Sequence, residues 1–217
     1  MQTAITAMNK QRLLLIGVIL FLVIFHLVGI AGLRMEMTRA LFMRLTPLNL
    51  LLSLGLLFSF HRTWSSFWWI FCLVIFVAGW GIEVLGVQTG VIFGVYKYGE
   101  TLGPKLLAVP LMMGVNWLLL IYMIGQVSIL TGANLWVRTT LGASLMVLMD
   151  ILIEPFAIRF DLWQWAGDVI PFQNYLAWFL ISWMMLRYFH ANNLSRPNPL
   201  ALPLLLIQLG FFASFML

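Results

Sequence analysis

Charge is what this sequence has least of: 9% of its 217 residues are charged, 63% are hydrophobic, and the mean hydropathy is +1.01. Soluble domains carry roughly 25% charged residues, so a water-soluble fold is ruled out on composition. Cysteine is almost missing. Cys72 stands alone in the apolar run Phe71 to Ala78, which excludes an internal disulfide or a thiolate metal cluster and reads as packing. Histidine is nearly as rare, and His26, His61 and His190 lie too far apart for the clustered histidines of a membrane di-iron oxygenase. No glycine-rich dinucleotide fingerprint follows a strand. Gly79, Gly81 and Gly86 lie in a hydrophobic helix without the required spacing, so flavin or nicotinamide chemistry is unsupported, and neither a metal nor a cofactor is expected. The last apolar run, Leu200 to Leu217, has no lysine to hold a retinal Schiff base, which disfavours a photoreceptor. The twelve Lys and Arg give a net charge of +5 but are scattered singly rather than gathered in a stripe, so nucleic acid is not an expected partner.

What remains is a series of apolar stretches near 20 residues, the length that carries a helix across a roughly 30 Å hydrocarbon core. Runs such as Leu13 to Leu33 do not alternate in polarity, which argues against a barrel. Apolar density predicts helices over 12 to 33, 41 to 60, 67 to 87, 106 to 130, 135 to 154, 172 to 190 and 199 to 217. The expected fold is therefore all-α: a polytopic bundle of about seven transmembrane helices forming one integral membrane domain over residues 1–217. The Lys10 to Arg12 flank precedes an apolar run too long for a signal peptide, so that run reads as a retained first span. Lys10, Arg12, Arg62, Arg138, Arg187 and Arg196 fall on the N-terminal side, against Arg34, Arg39, Arg44, Lys97, Lys105 and Arg159 opposite. If Lys97 and Lys105 belong to a segment folded back into the protein, the balance favours a cytoplasmic N-terminus.

The least ordinary stretch runs from Gly79 to Trp117. Gly86, Gly90 and Gly94 recur every four residues, which on a helix makes a smooth stripe for a neighbouring backbone or a flat ligand. Past Gly94 the run Tyr96, Lys97, Tyr98, Gly99, Gly103, Pro104 mixes turn formers, aromatics and charge; at membrane depth such backbone survives only when buried in protein or lining a cavity.

Four of the seven acidic residues (Glu36, Glu100, Asp161, Asp168) fall in predicted connections, where solvated charge is ordinary. Glu83, Asp150 and Glu154 fall in apolar runs instead. An acidic group at a helix centre costs about 2.5 to 3.5 kcal/mol on insertion scales, which makes these three the catalytic candidates. Asp150 and Glu154 are one helical turn apart and face the same way. Pro155 is expected to end their helix and bring Glu154 toward the interface. Because desolvation disfavours a charged carboxyl, neighbouring buried acids can divide into one acid and one base, which suits proton-coupled work on an apolar molecule. Trp80, Phe93, Tyr96, Tyr98, Trp117, Trp163 and Trp165 surround these positions in sequence, and their π faces can stack on a polyene or stabilise a carbocation. Interfacial belts account for other tryptophans, including Trp64, Trp68, Trp69 and Trp136. Asn116 reads equally as interhelical glue.

At these residues the sequence resembles the carotenoid biosynthesis membrane proteins that include carotenoid 1,2-hydratases of the γ-carotene 1',2'-hydratase and bisanhydrobacterioruberin hydratase type. Two segments over residues 79 to 170 carry the resemblance. One is Glu83-Val-Leu-Gly86-Val-Gln-Thr-Gly90-Val-Ile-Phe93-Gly94-Val-Tyr96-Lys-Tyr98, continuing through Gly103 to Val109-Pro110 and Asn116-Trp117; the other is Asp150-Ile-Leu-Ile-Glu154-Pro155 followed by Trp163-Gln-Trp165. The family pattern has Asp before that proline, and Glu154 keeps the carboxyl one methylene longer. The resemblance implies cofactor-independent addition of water across the terminal C1=C2 bond of an acyclic ψ end. Glu83, Asp150 and Glu154 would be the acid and base groups, and Trp80, Gly86, Gly90, Phe93, Gly94, Tyr96, Tyr98, Asn116 and Trp117 the substrate-binding set. It further implies an isoprenoid substrate such as lycopene or γ-carotene delivered from the bilayer, a bacterial or archaeal cell membrane, and other carotenoid enzymes as partners. A cyclase that quenches the same cation with an internal double bond, and a non-catalytic carotenoid-binding or transport protein, are the competing readings.

Overall fold

The computed structural model of the protein describes residues 2–192 and 197–216; Arg196, which entered the charge balance, and Leu217 lie outside them. Among the described residues eight α-helices follow in order: α1 (Gln2–Arg34), α2 (Glu36–Arg44), α3 (Thr46–Ser59), α4 (Ser66–Thr89), α5 (Met112–Ile129), α6 (Leu135–Arg159), α7 (Phe172–Ala191) and α8 (Ala201–Ala213). Four short strands interrupt them: β1 (Tyr96–Tyr98), β2 (Lys105–Leu106) and β3 (Val109–Pro110) between α4 and α5, and β4 (Trp163–Trp165) between α6 and α7.

The bundle is built around α5. This helix is apolar on every side, with Trp117, Leu119, Ile121, Tyr122, Met123 and Ile124 fully buried, and it packs against α3, α4, α6, α7 and α8. A helix with no polar face has no stable position except in the middle of others. The outer helices turn large apolar side chains outward, among them Leu13, Leu14 and Leu20 on α1 and Trp69, Ile70 and Leu73 on α4. Against lipid tails that surface costs nothing, and the protein is an α-helical membrane protein.

Local chemistry sets several boundaries. Ser65 caps α4 by accepting from the Trp68 amide at 3.2 Å, and Asn134 caps α6 by accepting from the Trp136 and Val137 amides at 3.1 Å each. Gly90 ends α4 in the left-handed conformation, φ 66°, which only glycine adopts without strain.

Two expectations are corrected. The predicted helix over 41 to 60 is two helices, α2 and α3, meeting at 54°; Pro47 in the first turn of α3 has no N–H to extend the preceding helix. Pro155 does not stop α6, which runs on to Arg159, since packing against α5, α7 and α8 holds the backbone that the ring cannot bond. The all-α membrane bundle is as expected, with eight helices among the described residues against about seven; the stretches Asn9–Arg34, Ser66–Thr89, Met112–Ile129 and Leu135–Arg159 each have the length and hydropathy of a span, with the bent α2–α3 pair as a fifth.

Candidate functional site

The glycines expected to form a helical stripe do something else. Only Gly86 lies in α4; Gly90 is its cap and Gly94, at φ 113°, lies in the connection beyond it. With the helix stopped at Thr89, the chain folds back. The ring of Phe93 and the hydroxyl of Tyr96 come to rest where a side chain on Gly86 would stand, 2.6 and 3.0 Å from its Cβ position. At Gly94 the missing side chain makes room for Pro171 at the start of α7.

The returning chain forms β1, which pairs antiparallel with β4 in the register Tyr96 with Trp165, Lys97 with Gln164 and Tyr98 with Trp163. Alternation along each strand turns Tyr96, Tyr98, Trp163 and Trp165 inward and leaves Lys97 and Gln164 outside. The four inward side chains are donors, and they meet two of the three buried carboxyls. Glu83 Oε2 accepts from the Tyr96 and Tyr98 hydroxyls at 2.6 and 2.7 Å, and its Oε1 accepts from Trp117 Nε1 at 2.8 Å. Glu154 Oε2 accepts from Trp165 Nε1 at 2.8 Å and Trp163 Nε1 at 3.1 Å. Desolvation, and then the charge of Glu83, hold both phenols well above the ordinary tyrosine range, so each remains a hydrogen donor.

Asp150 is different. Its Oδ2 accepts from Asn174 Nδ2 of α7 at 2.6 Å, but its Oδ1 is fully buried and has no partner among the described residues. Glu154 Oε1 likewise makes no hydrogen bond among the described residues. All three acids are at most 3% exposed and border one cavity of about 20 Å³, enough for a single water-sized occupant. Phe93, Met113 and Trp178 complete its wall together with the ribbon aromatics.

The structure thus gathers Glu83, Asp150, Glu154, Phe93, Tyr96 and Tyr98 around one cavity, with Gly86 and Gly94 permitting the close approach of its walls. Trp117 lies behind Glu83 rather than on the cavity, stacked at 4.5 Å on Trp178 and lodged in the space that Gly79 leaves open. Trp80, Gly90 and Asn116 are elsewhere. Trp80 ties α4 to β3 through the Val109 carbonyl, Gly90 is a cap, and Asn116 lines a neighbouring chamber. That chamber, of about 140 Å³, lies among α1, α3, α5, α6 and α8 and shares Met113 and Trp163 with the acid cavity. Met113, Asn174 and Trp178 were not anticipated. Asn174 and Trp178 are one turn apart on α7, and an amide in an apolar run followed by a tryptophan four residues on is a signal of the kind used for Asn116.

The match to known proteins falls on this site. Residues 45–216 fit the family model described as carotenoid biosynthesis protein, most of the chain and every residue of the cavity. The chain belongs to this carotenoid biosynthesis family. A curated relative, bisanhydrobacterioruberin hydratase of Haloarcula japonica, is 31% identical over 116 residues, covering 46% of this chain and 37% of its own length. The chain therefore matches little more than a third of that relative. No solved structure matches.

Proposed function

We propose that this member of the family hydrates the terminal C1=C2 double bond of an acyclic carotenoid end group without a cofactor, giving a tertiary 1-hydroxy carotenoid. One observation carries the reading: Asp150 and Glu154, one helical turn apart, border a cavity sized for a water and walled by indoles and phenols, and each has a carboxyl oxygen, Oδ1 and Oε1, with no hydrogen-bond partner among the described residues. The name of the Haloarcula relative supports the hydratase class.

In this mechanism the protonated Asp150 gives its proton to C2, and the π pair becomes the new C–H bond. The tertiary cation left at C1 is stabilised by the faces of Tyr96, Tyr98, Trp163 and Trp165. Water adds its oxygen to C1 and loses a proton to the Glu154 carboxylate, which passes it back to Asp150 for the next cycle. The net change is one water gained. Glu83, with both oxygens already occupied by donors, positions the tyrosines and Trp117 rather than exchanging protons. The chamber on the far side of Met113 gives the isoprenoid end its approach from the bilayer.

The test is pigment analysis by chromatography and mass spectrometry after expression in hosts accumulating lycopene or γ-carotene. A gain of one water mass with unchanged chromophore absorption is the expected result. An isomer of unchanged mass with shifted absorption would instead identify a cyclase, and unaltered pigment in well-expressed membranes would overturn the reading for these substrates.

A further inference from the structure

The chamber beside the acid cavity is mostly apolar, with His26 of α1, Thr46 and Asn49 of α3, Asn116 of α5, Gln208 of α8 and the Trp163 indole as the polar side chains that border it. Such groups have no reason to face hydrocarbon unless something there bonds to them. His26 and Gln208 are 4% and 6% exposed and line the same chamber; the His26 ring stands edge-on to Phe211, 5.6 Å away and one turn along α8 from Gln208. The chemistry of His26 is fixed by its other nitrogen. Nδ1 lies 2.8 Å from the Leu22 carbonyl oxygen, which can only accept, so Nδ1 carries the hydrogen and Nε2 of the neutral ring is an acceptor. His26 makes its one hydrogen bond among the described residues through Nδ1, and the side-chain amides of Asn116 and Gln208, which line the chamber, make none there.

An acceptor beside amides that donate defines its complement. A hydroxyl gives a hydrogen to Nε2 and takes one from an amide; a ketone lacks the hydrogen, a hydrocarbon has neither group, and a carboxylate would meet the Nε2 lone pair with no cation lining the chamber. We propose that this chamber is an alcohol-binding subsite, in which His26 Nε2 accepts from, and Gln208 and Asn116 donate to, the hydroxyl of a tertiary isoprenoid alcohol. The choice of a tertiary alcohol rests on the hydratase reading. Beside the acids such an alcohol would re-ionise and lose water; held across Met113 it is kept from them, so the subsite favours net hydration.

The probes are 2,6-dimethyloctan-2-ol, which reproduces the hydrated end, and 2,6-dimethyloctane, which lacks only the hydroxyl. Their dissociation constants are measured on the full chain in lipid nanodiscs for the wild type and for the pair His26→Phe with Gln208→Leu. The hydrocarbon-to-alcohol ratio of constants is expected to fall about tenfold in the double variant, as loss of hydrogen bonds to one hydroxyl requires. Retained hydrocarbon binding shows that the variant is folded; if it is lost, Gln208→Leu alone is used, with an expected fall of about threefold. An unchanged ratio overturns the proposal. Since binding needs no turnover, a protein that hydrates no pigment yet shows the fall would refute the hydratase reading and leave the subsite standing.

Discussion

Replacing Asp150 by Asn separates chemistry from architecture, because the structure predicts that only the first is lost. Asp150 is fully buried and makes one hydrogen bond, from Asn174 Nδ2 to its Oδ2. Asparagine has the same shape; its amide oxygen keeps that bond, and its NH2 group points where Oδ1 now has no partner. The cost to folding should be within about 1 kcal/mol. What the amide cannot do is donate a proton to carbon. General acid catalysis contributes about 10²- to 10⁴-fold, so product formed per unit of protein should fall by at least 100-fold, about 2.7 kcal/mol or more in the barrier. Glu83→Gln is the contrasting variant. Its carboxyl accepts three bonds, from two O–H groups and one N–H, and an amide nitrogen put in place of either oxygen would face a donor. That change should lower stability by about 1–3 kcal/mol as well as activity. The assay combines hydroxylated pigment, normalised to protein in the membranes, with the melting transition in detergent. Activity of Asp150→Asn within threefold of wild type would remove it as the proton donor, and a large loss of its stability would show that Oδ1 has a partner which an amide NH2 cannot keep.

Two further outcomes follow from the walls of the site. Trp165→Phe keeps the ring but removes the shorter of the two bonds to Glu154, at 2.8 Å, and should reduce turnover roughly tenfold while leaving the melting temperature within a few degrees; equal activity would show that Glu154 needs no orienting donor. Gly94→Ala forces a side chain into the left-handed region, at φ 113°, and against Pro171. It should cost about 1–3 kcal/mol and loosen the start of α7 against the ribbon, seen as a lower melting temperature and faster proteolysis after Gly94.

Much of the bundle was legible because hydropathy in a membrane is almost a direct reading of helix position, and the three buried acids were legible because nothing but function or pairing tolerates them there. The errors have a common cause. Regular periodicity was extended through residues that break it locally: Thr46-Pro47 weigh little against the leucines around them, and Gly90 and Gly94 keep a helical spacing after the helix has stopped. Pro155 produced the opposite error, since packing around α6 overrides a stop signal that would hold in water. The ribbon could not be read at all as a pairing. Tyr96 and Trp165 are far apart in sequence, and no local rule links three-residue strands across two intervening helices.

That ribbon is why the site has the shape it has. A helix brings side chains back to one face only every three or four residues, whereas a strand brings two donors to one face within three, close enough to converge on one oxygen. Tyr96 and Tyr98 do this on Glu83, and Trp163 and Trp165 on Glu154, each pair meeting a single Oε2. Because the two strands are paired in fixed register, the ribbon also links Glu83 of α4 to Glu154 of α6 through its paired donors. A slip of one residue would turn Lys97 and Gln164 inward and leave both carboxyls without their donors. An aromatic cluster that served packing alone would tolerate such a slip with other large side chains. This one joins ring faces to hydrogen-bond donors at alternate positions on both strands, and every donor ends on a buried acid.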